Sequence, residues 1–581
     1  MRRRSGNFWF RFLWAASLPA VALTLSSAWA APLINPFAVP APAAPGPQPA
    51  PIPNFFARIR PERGETRTVP FPFAVSKETT VLTEPPRADG GVDYLAALNE
   101  QAGRGVTPEN NAAVALLRIL GPSGTDVDKR GKLFKLLGME RLPDQGEYLL
   151  RDDQFIEQRA ARRGAAAVDP ESELQARFAQ QLEQARRSVW SSVECPLVAG
   201  WLRANDKALD LAVEASRRTR FFVPLIADRP NSLLSSTSDT FGFGQCGDLR
   251  ALLTVRALHQ FQDDDFDGGR ETLLAAHRLA RLLGQGFTIG RCATAADWES
   301  ELYVAERAAA DSGQLSAEQI RGLQKSLDEL PPLPRPEERI DTFQRYCLLD
   351  ELAYELGEKV EDNVKTDQDD LDWLLSKVGN ALTDGDEAAR WINRWVDRSV
   401  AAAKRLPDHE DGQALAQMAA DAEFLRSELN SDRATLQYLI GTKAWRGRLR
   451  AAELARGVTL GVSHIAERQT LAATNARLTR VALSLAAYKQ EHGEFPSELS
   501  ALVPKHLPAL PRDAFTSAEF RYRRTPDGYL LYSFGRNGQD DGGRDQWDED
   551  EQTFFDDVVI QFPPSPPEPS SALSWAIRHV R

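Results

Sequence analysis

The densest set of groups able to do chemistry lies near the C-terminus. Between Leu531 and Ile560 stand nine acids, Asp540, Asp541, Asp545, Asp548, Glu549, Asp550, Glu551, Asp556 and Asp557, against two arginines. A local balance of -7 repels itself unless it is solvated or neutralised. Starting from Asn537, oxygen-bearing side chains recur at Gln539, Asp541, Asp545 and Asp548, beside Asp540, and Gly542 stands where a sharp turn is needed. That spacing approximates a calcium loop, with Asp in place of the usual closing bidentate Glu. Hard oxygen donors on flexible backbone suit calcium, so Asn537, Gln539, Asp540, Asp541, Asp545 and Asp548 are the expected ligands of a structural calcium ion.

Other constellations are weaker. Asp263, Asp265, Asp267 and Gly268 open like a calcium loop, but the closing position is Leu274, so a solvated turn between helices is expected. Gly242, Gly244 and Gly247 match a phosphate-cradling pattern, yet no strand precedes them and no nucleotide is expected. The chain has no HExxH and no GxSxG, and its seven His are scattered, so neither a zinc nor a serine hydrolase is signalled and no catalytic residue is assigned. His277 lies in an apolar helical stretch and is expected in or beside the core. Trp201, Trp298, Trp373, Trp391 and Trp395, with Glu299, Glu301 and Asp372, could line a sugar-binding groove in a helical toroid. Cys195, Cys246, Cys292 and Cys347 form no CxxC pair, which argues against a zinc site. Their near-regular spacing suits disulfides from Cys195 to Cys246 and from Cys292 to Cys347, with four buried thiols as the alternative.

The elements that must position these groups follow from composition and period. The chain has 581 residues, 42% hydrophobic and 26% charged, which predicts several folding units rather than one small core. Its net charge of -12 argues against a nucleic-acid grip, since phosphate binding needs clustered Lys and Arg. Residues 1–30 have the form of a signal peptide. Arg2, Arg3 and Arg4 precede an apolar stretch too short to span a bilayer, and Ala28-Trp29-Ala30 offers a cleavage site after Ala30. An exported, periplasmic or extracellular protein is expected, in contact with a membrane only through an uncleaved signal. Cleavage would deepen the net charge to -16, because the segment holds four Arg and no acid.

Residues 31–53 contain nine Pro and no charge, the composition of an extended spacer, and the spacer is expected to run as far as residue 88 and to be mostly disordered. Residues 89–464 are expected to be helical, an irregular bundle or tetratricopeptide-like solenoid. Predicted helices include Glu171 to Trp190, Pro196 to Ser216, Gly247 to Gln262, Arg270 to Leu283, Thr294 to Ala310, Glu337 to Leu356, Leu371 to Leu382 and Ala388 to Arg405. Residues 465–563 have a different grammar. Leu471, Leu478, Val481, Leu485 and Tyr488 share a helical face up to His492, with Gly493 as the C-terminal cap. Two alternating runs, from Phe520 and from Tyr529, flank Pro526-Asp527-Gly528 as a hairpin, and Asp557 to Phe562 supplies a third strand. Residues 564–581 form a tail.

This last unit resembles a known family. The run Ala486-Ala487-Tyr488-Lys489-Gln490-Glu491-His492-Gly493-Glu494-Phe495-Pro496, the turn Leu499 to Val503, Asp513-Ala514-Phe515, Phe520-Arg521-Tyr522 and the stretch Tyr529 to Gly538 resemble the periplasmic part of the type II secretion major pseudopilin. The resemblance covers about 95 residues and implies a pilin-like α+β domain with a three-stranded antiparallel sheet, whose loop after the second strand holds calcium. The chain departs from the family in its stem. Val462 stands where a pseudopilin has Glu, and Ser463 to Arg468 is largely polar where about 20 apolar residues are usual. The expectation is therefore an exported, non-enzymatic scaffold or interaction protein that contacts other envelope or secreted proteins and binds neither nucleic acid nor nucleotide. A glycan-directed hydrolase or lyase built on the helical part, and an accessory component of a type II secretion-like machine, are the alternatives.

Overall fold

Side-chain caps set many helix starts. Asn111, Asp126, Asp265, Ser316, Asp384 and Thr442 each accept a backbone N–H from the first turn of the helix that follows, satisfying donors that a helix leaves unpaired. The structure, a computed structural model, describes residues 70–163, 170–227, 233–237, 241, 244–357, 382–406, 413–429, 441–545, 547–548 and 553–563. The expected signal peptide, the Pro-rich run, Asp372, Trp373 and the tail lie outside the described residues.

The chain is mostly helical with a small three-stranded antiparallel sheet. Its helices are α1 (Tyr94–Gly103), α2 (Ala112–Leu120), α3 (Val127–Leu136), α4 (Asp152–Arg163), α5 (Pro170–Arg187), α6 (Pro196–Ala204), α7 (Asp206–Ala215), α8 (Gly244–Gln262), α9 (Phe266–Leu283), α10 (Ile289–Asp311), α11 (Ala317–Asp328), α12 (Arg345–Gly357), α13 (Gly385–Ala403), α14 (Gln413–Leu429) and α15 (Lys443–His492). One helix was expected over Pro196 to Ser216, and two form. Asn205 is buried between them, and its amide accepts from Leu150 N at 2.8 Å and donates to Trp201 O at 3.0 Å. The backbone of Asn205 leaves the helical path there, with φ −112° and ψ 5°.

The 50-residue α15 organises the whole. Ala451, Ala455, Val462 and Ala466 enter a core built with α12, α13 and α14. Leu483, Ala486 and Ala487 enter the core of α2 to α11, and Leu478, Val481, Ala482 and Leu485 face the sheet. The junction expected at residues 464 and 465 therefore falls inside one uninterrupted helix. Close packing is needed at its start, where a Cβ on Gly447 would stand 2.4 Å from the carbonyl oxygen of Asp384. No helix among the described residues is long and apolar enough to cross a membrane.

Residues 70–88, expected to belong to the spacer, are instead packed. Phe73 is buried, Thr79 and Thr80 are fully buried, and the carbonyls of Glu78 and Thr79 accept from Asn393 of α13 at 2.8 and 3.0 Å. Phe71 and Phe73 supply the apolar area of this packing, joining the core around α12 to α15.

The sheet consists of β1 (Arg521–Arg524), β2 (Tyr529–Ser533) and a last strand, Val558–Phe562, with β2 central and both neighbours antiparallel. A separate two-residue pair, β3 (Trp547–Asp548) and β4 (Thr553–Phe554), lies in the connection, so the last strand is β5. Tyr529 is fully buried against α15, where Phe495 meets it edge-on at 5.0 Å.

Cys195, Cys246, Cys292 and Cys347 are buried and none is in a disulfide. The expected bridges are not made. Cys195 and Cys246 fill one core and Cys292 and Cys347 another, and burial raises the thiols of Cys292 and Cys347 above their ordinary range.

Candidate cation site

The antiparallel pairing of β2 with β5 brings two distant acidic segments together. Ser533 stands opposite Val558, so the residues just after β2 run alongside those just before β5. Gly535 makes this approach possible. Its φ is +61°, and a Cβ there would lie 2.0 Å from the carbonyl oxygen of Asp556.

Asp556 and Asp557 form the inner part of the site. One Asp556 oxygen, Oδ2, accepts from the backbone N–H groups of Arg536 and Asn537 at 3.1 and 3.0 Å. Asp557 is 2% exposed, and its Oδ2 accepts from Gly543 N at 2.7 Å. The other oxygen of each, Oδ1, is buried and meets no donor among the described residues. Buried carboxylate oxygens normally have partners, so these two orphans mark places where a proton, a water or a cation would be accepted.

The electrostatics agree. Burial pushes the Asp557 carboxyl up to about 6, and the neighbouring charges of Asp541 and Asp540 add to it against the Gly543 N–H. Burial likewise raises Asp556, with Asp541 again adding repulsion. These carboxylates are poised for either a proton or a cation.

The outer loop supplies the expected residues unevenly. Asp541 Oδ2 accepts from Asn537 Nδ2 at 3.0 Å, and Asn537 Oδ1 accepts from Gln539 N at 2.6 Å. Asp540 Oδ1 accepts from Tyr532 Oη at 2.9 Å and from Gly542 N at 3.1 Å, and Arg521 stands 3.3 Å from Oδ2. Gln539 and Asp545 are exposed. Of Asp548 the backbone is described, paired with Thr553. Among the described residues no three His, Cys, Asp or Glu side chains lie close enough to enclose an ion by themselves. A calcium ion here would draw on carbonyl, amide and water oxygens as well as carboxylates, which is its common coordination. Sequence spacing pointed to the outer loop and passed over Asp556 and Asp557 as ligands. The available signal was their place directly before a strand that pairs with β2.

The other constellations are structural. Asp265 caps α9 by accepting from Gly268 N, and Asp267 pairs with Arg270, as suits a turn between helices. Gly244 to Gly247 form the first turn of α8. Trp201, Trp298, Trp391 and Trp395 are core residues at 0–3% exposure and line no described groove. Glu299 is fully buried with His277, whose Nδ1 lies 3.0 Å from it, while Nε2 lies 2.7 Å from Glu306. The described cavity of about 510 Å³ lies elsewhere, between α1, the end of α3 and Phe222.

No family model, no curated protein and no solved structure matches this chain.

Proposed function

We propose that the C-terminal unit is a pilin-like α+β module closed by calcium, carried by an exported interaction protein whose helical body holds the module's stem. The observation that carries this reading is the pair of buried Oδ1 atoms of Asp556 and Asp557, which face no donor among the described residues. Four glycines with positive φ, Gly535, Gly538, Gly542 and Gly543, shape the surrounding loop, and the acidic loop follows the second strand in the order that the resemblance implies. A role in protein contacts suits an acidic chain with a module fixed at one end. Service as a filament subunit does not, because the first half of α15 is packed against α10, α13 and α14.

Isothermal titration calorimetry of the full chain with calcium chloride at pH 7.5 tests the proposal. One site per chain is expected for the native protein, weakened at least tenfold in Asp557→Asn. Absence of binding at millimolar calcium would remove the calcium reading. Equal binding by Asp557→Asn would move the site away from the inner carboxylates.

A further inference from the structure

A second cluster, remote in sequence from the cation loop, has the atoms of a nucleophilic relay. Ser192 lies in the turn joining α5 to α6 and is exposed. Its Oγ is 3.0 Å from His259 Nε2, near the end of α8. The other ring nitrogen, Nδ1, is 3.2 Å from Asp263 Oδ2. Hydroxyl to Nε2 and carboxylate to Nδ1 is the connectivity by which an imidazole takes a proton from serine while an acid fixes its tautomer. Such relays are recognised by geometry, since unrelated folds assemble them in different chain orders. Here the order is Ser, His, Asp, and no GxSxG accompanies it.

The supporting residues hold the parts in place. The His259 ring packs on Trp190, centroids 4.6 Å apart, and Trp190 is fully buried with its indole N–H donated to Val255 O at 2.9 Å. Asp263 follows the last residue of α8, so the i,i+4 spacing that places it under His259 comes from the helix itself. Glu194 Oε2 accepts both the N–H and the hydroxyl of Ser191, at 2.7 and 2.8 Å, which ties down the turn ahead of Ser192. The backbone N–H groups of Ser192 and Val193 make no hydrogen bond among the described residues. They are donors available to an oxyanion formed at Ser192.

We propose that Ser192, His259 and Asp263 form an acyl-transfer site that hydrolyses short acyl esters of uncharged or cationic alcohols. Val193, 88% exposed beside the nucleophile, offers apolar contact to a short acyl chain. Glu194, Asp264 and Asp265 are exposed nearby in the same two turns and disfavour anionic substrates. In the first step Ser192 Oγ bonds to the ester carbonyl carbon as its proton passes to His259 Nε2. The tetrahedral adduct then breaks its bond to the alkoxy oxygen, which leaves as the alcohol with that proton. Water attacks the acyl-serine, giving a proton to His259, and the acid departs as Ser192 regains its hydrogen. Ser192 and His259 are catalytic residues, and Asp263 is a positioning residue. The activity is independent of the calcium reading.

The test uses the full chain, a fluorophosphonate probe with peptide mass mapping, and hydrolysis of p-nitrophenyl butyrate. A single adduct on Ser192 is expected, and it is lost in Ser192→Ala. Hydrolysis is expected to fall by about 100-fold or more in Ser192→Ala and His259→Gln, and Ser192→Ala, at an exposed position, is expected to keep the native melting temperature. Asp263→Asn is expected to lower kcat by about 100-fold or more with KM little changed, and Asp263→Glu is expected to recover part of the loss. No adduct at Ser192, or equal hydrolysis by Ser192→Ala, would overturn the proposal. An unchanged kcat in Asp263→Asn would remove Asp263 from the relay.

Discussion

Burying Asp557 is unfavourable unless something answers its charge, and that imbalance has a sign that can be measured. Its carboxyl is raised from the ordinary 3.8 to about 6 in the folded chain, first by burial. A raised carboxyl favours the folded state while protonated, so its contribution is full below about pH 4 and is lost as the pH rises through about 6. In EDTA the chain is therefore expected to lose thermal stability between pH 4 and 6 on this group's account, in a melting series that Asp557→Asn flattens. Calcium replaces the proton, so its stabilising effect is expected at pH 7.5 and should fade at pH 5. His277 carries the same sign at higher pH. Burial alone would depress it, but Glu299 and Glu306 outweigh that and push it up to about 9. Its contribution is complete below about pH 6.5 and is lost as pH rises through about 9. Removing it as His277→Ala leaves Glu299 and Glu306 buried without their common partner, an expected loss of about 3–5 kcal/mol in chemical denaturation.

Among the elements, α15 carries a backbone steric demand at its start. Gly447→Ala places a methyl against the Asp384 backbone, and a cost of about 1–3 kcal/mol is expected from denaturant melts, as for other overpacked contacts. Helix positions were legible because apolar period and caps agree locally. α9 starts at an Asp cap and buries Leu273, Ala276 and Ala280 along one face. The break at Asn205 was not legible, since it depends on Leu150, 55 residues away in sequence. Nor was the extent of α15, because the composition change near residue 464 reflects which neighbours the helix meets and leaves its backbone unbroken. The acidic loop could be read from charge density. Its inner carboxylates needed the register of β2 against β5, a tertiary fact. The Ser192 relay escaped for the same reason, since its hydroxyl and imidazole are 67 residues apart.

For the molecule as a whole, the shared helix sets cooperativity. Its side chains enter the cores of the helical body and of the sheet, so neither can lose its packing without exposing part of a common element. A single unfolding transition is expected in calorimetry of the full chain, moved upward by calcium as one unit, and two separated transitions would show that the long helix does not couple them. The proposed calcium closure rests on one feature, the buried Oδ1 atoms of Asp556 and Asp557 that meet no donor among the described residues. The most direct measurement is a crystal structure grown with calcium chloride at pH 7.5, with anomalous data. A peak is expected about 2.3–2.6 Å from Oδ1 of both Asp556 and Asp557. Those oxygens bonded instead to an Arg, a Lys or ordered water, with no anomalous peak, would contradict calcium closure of the module.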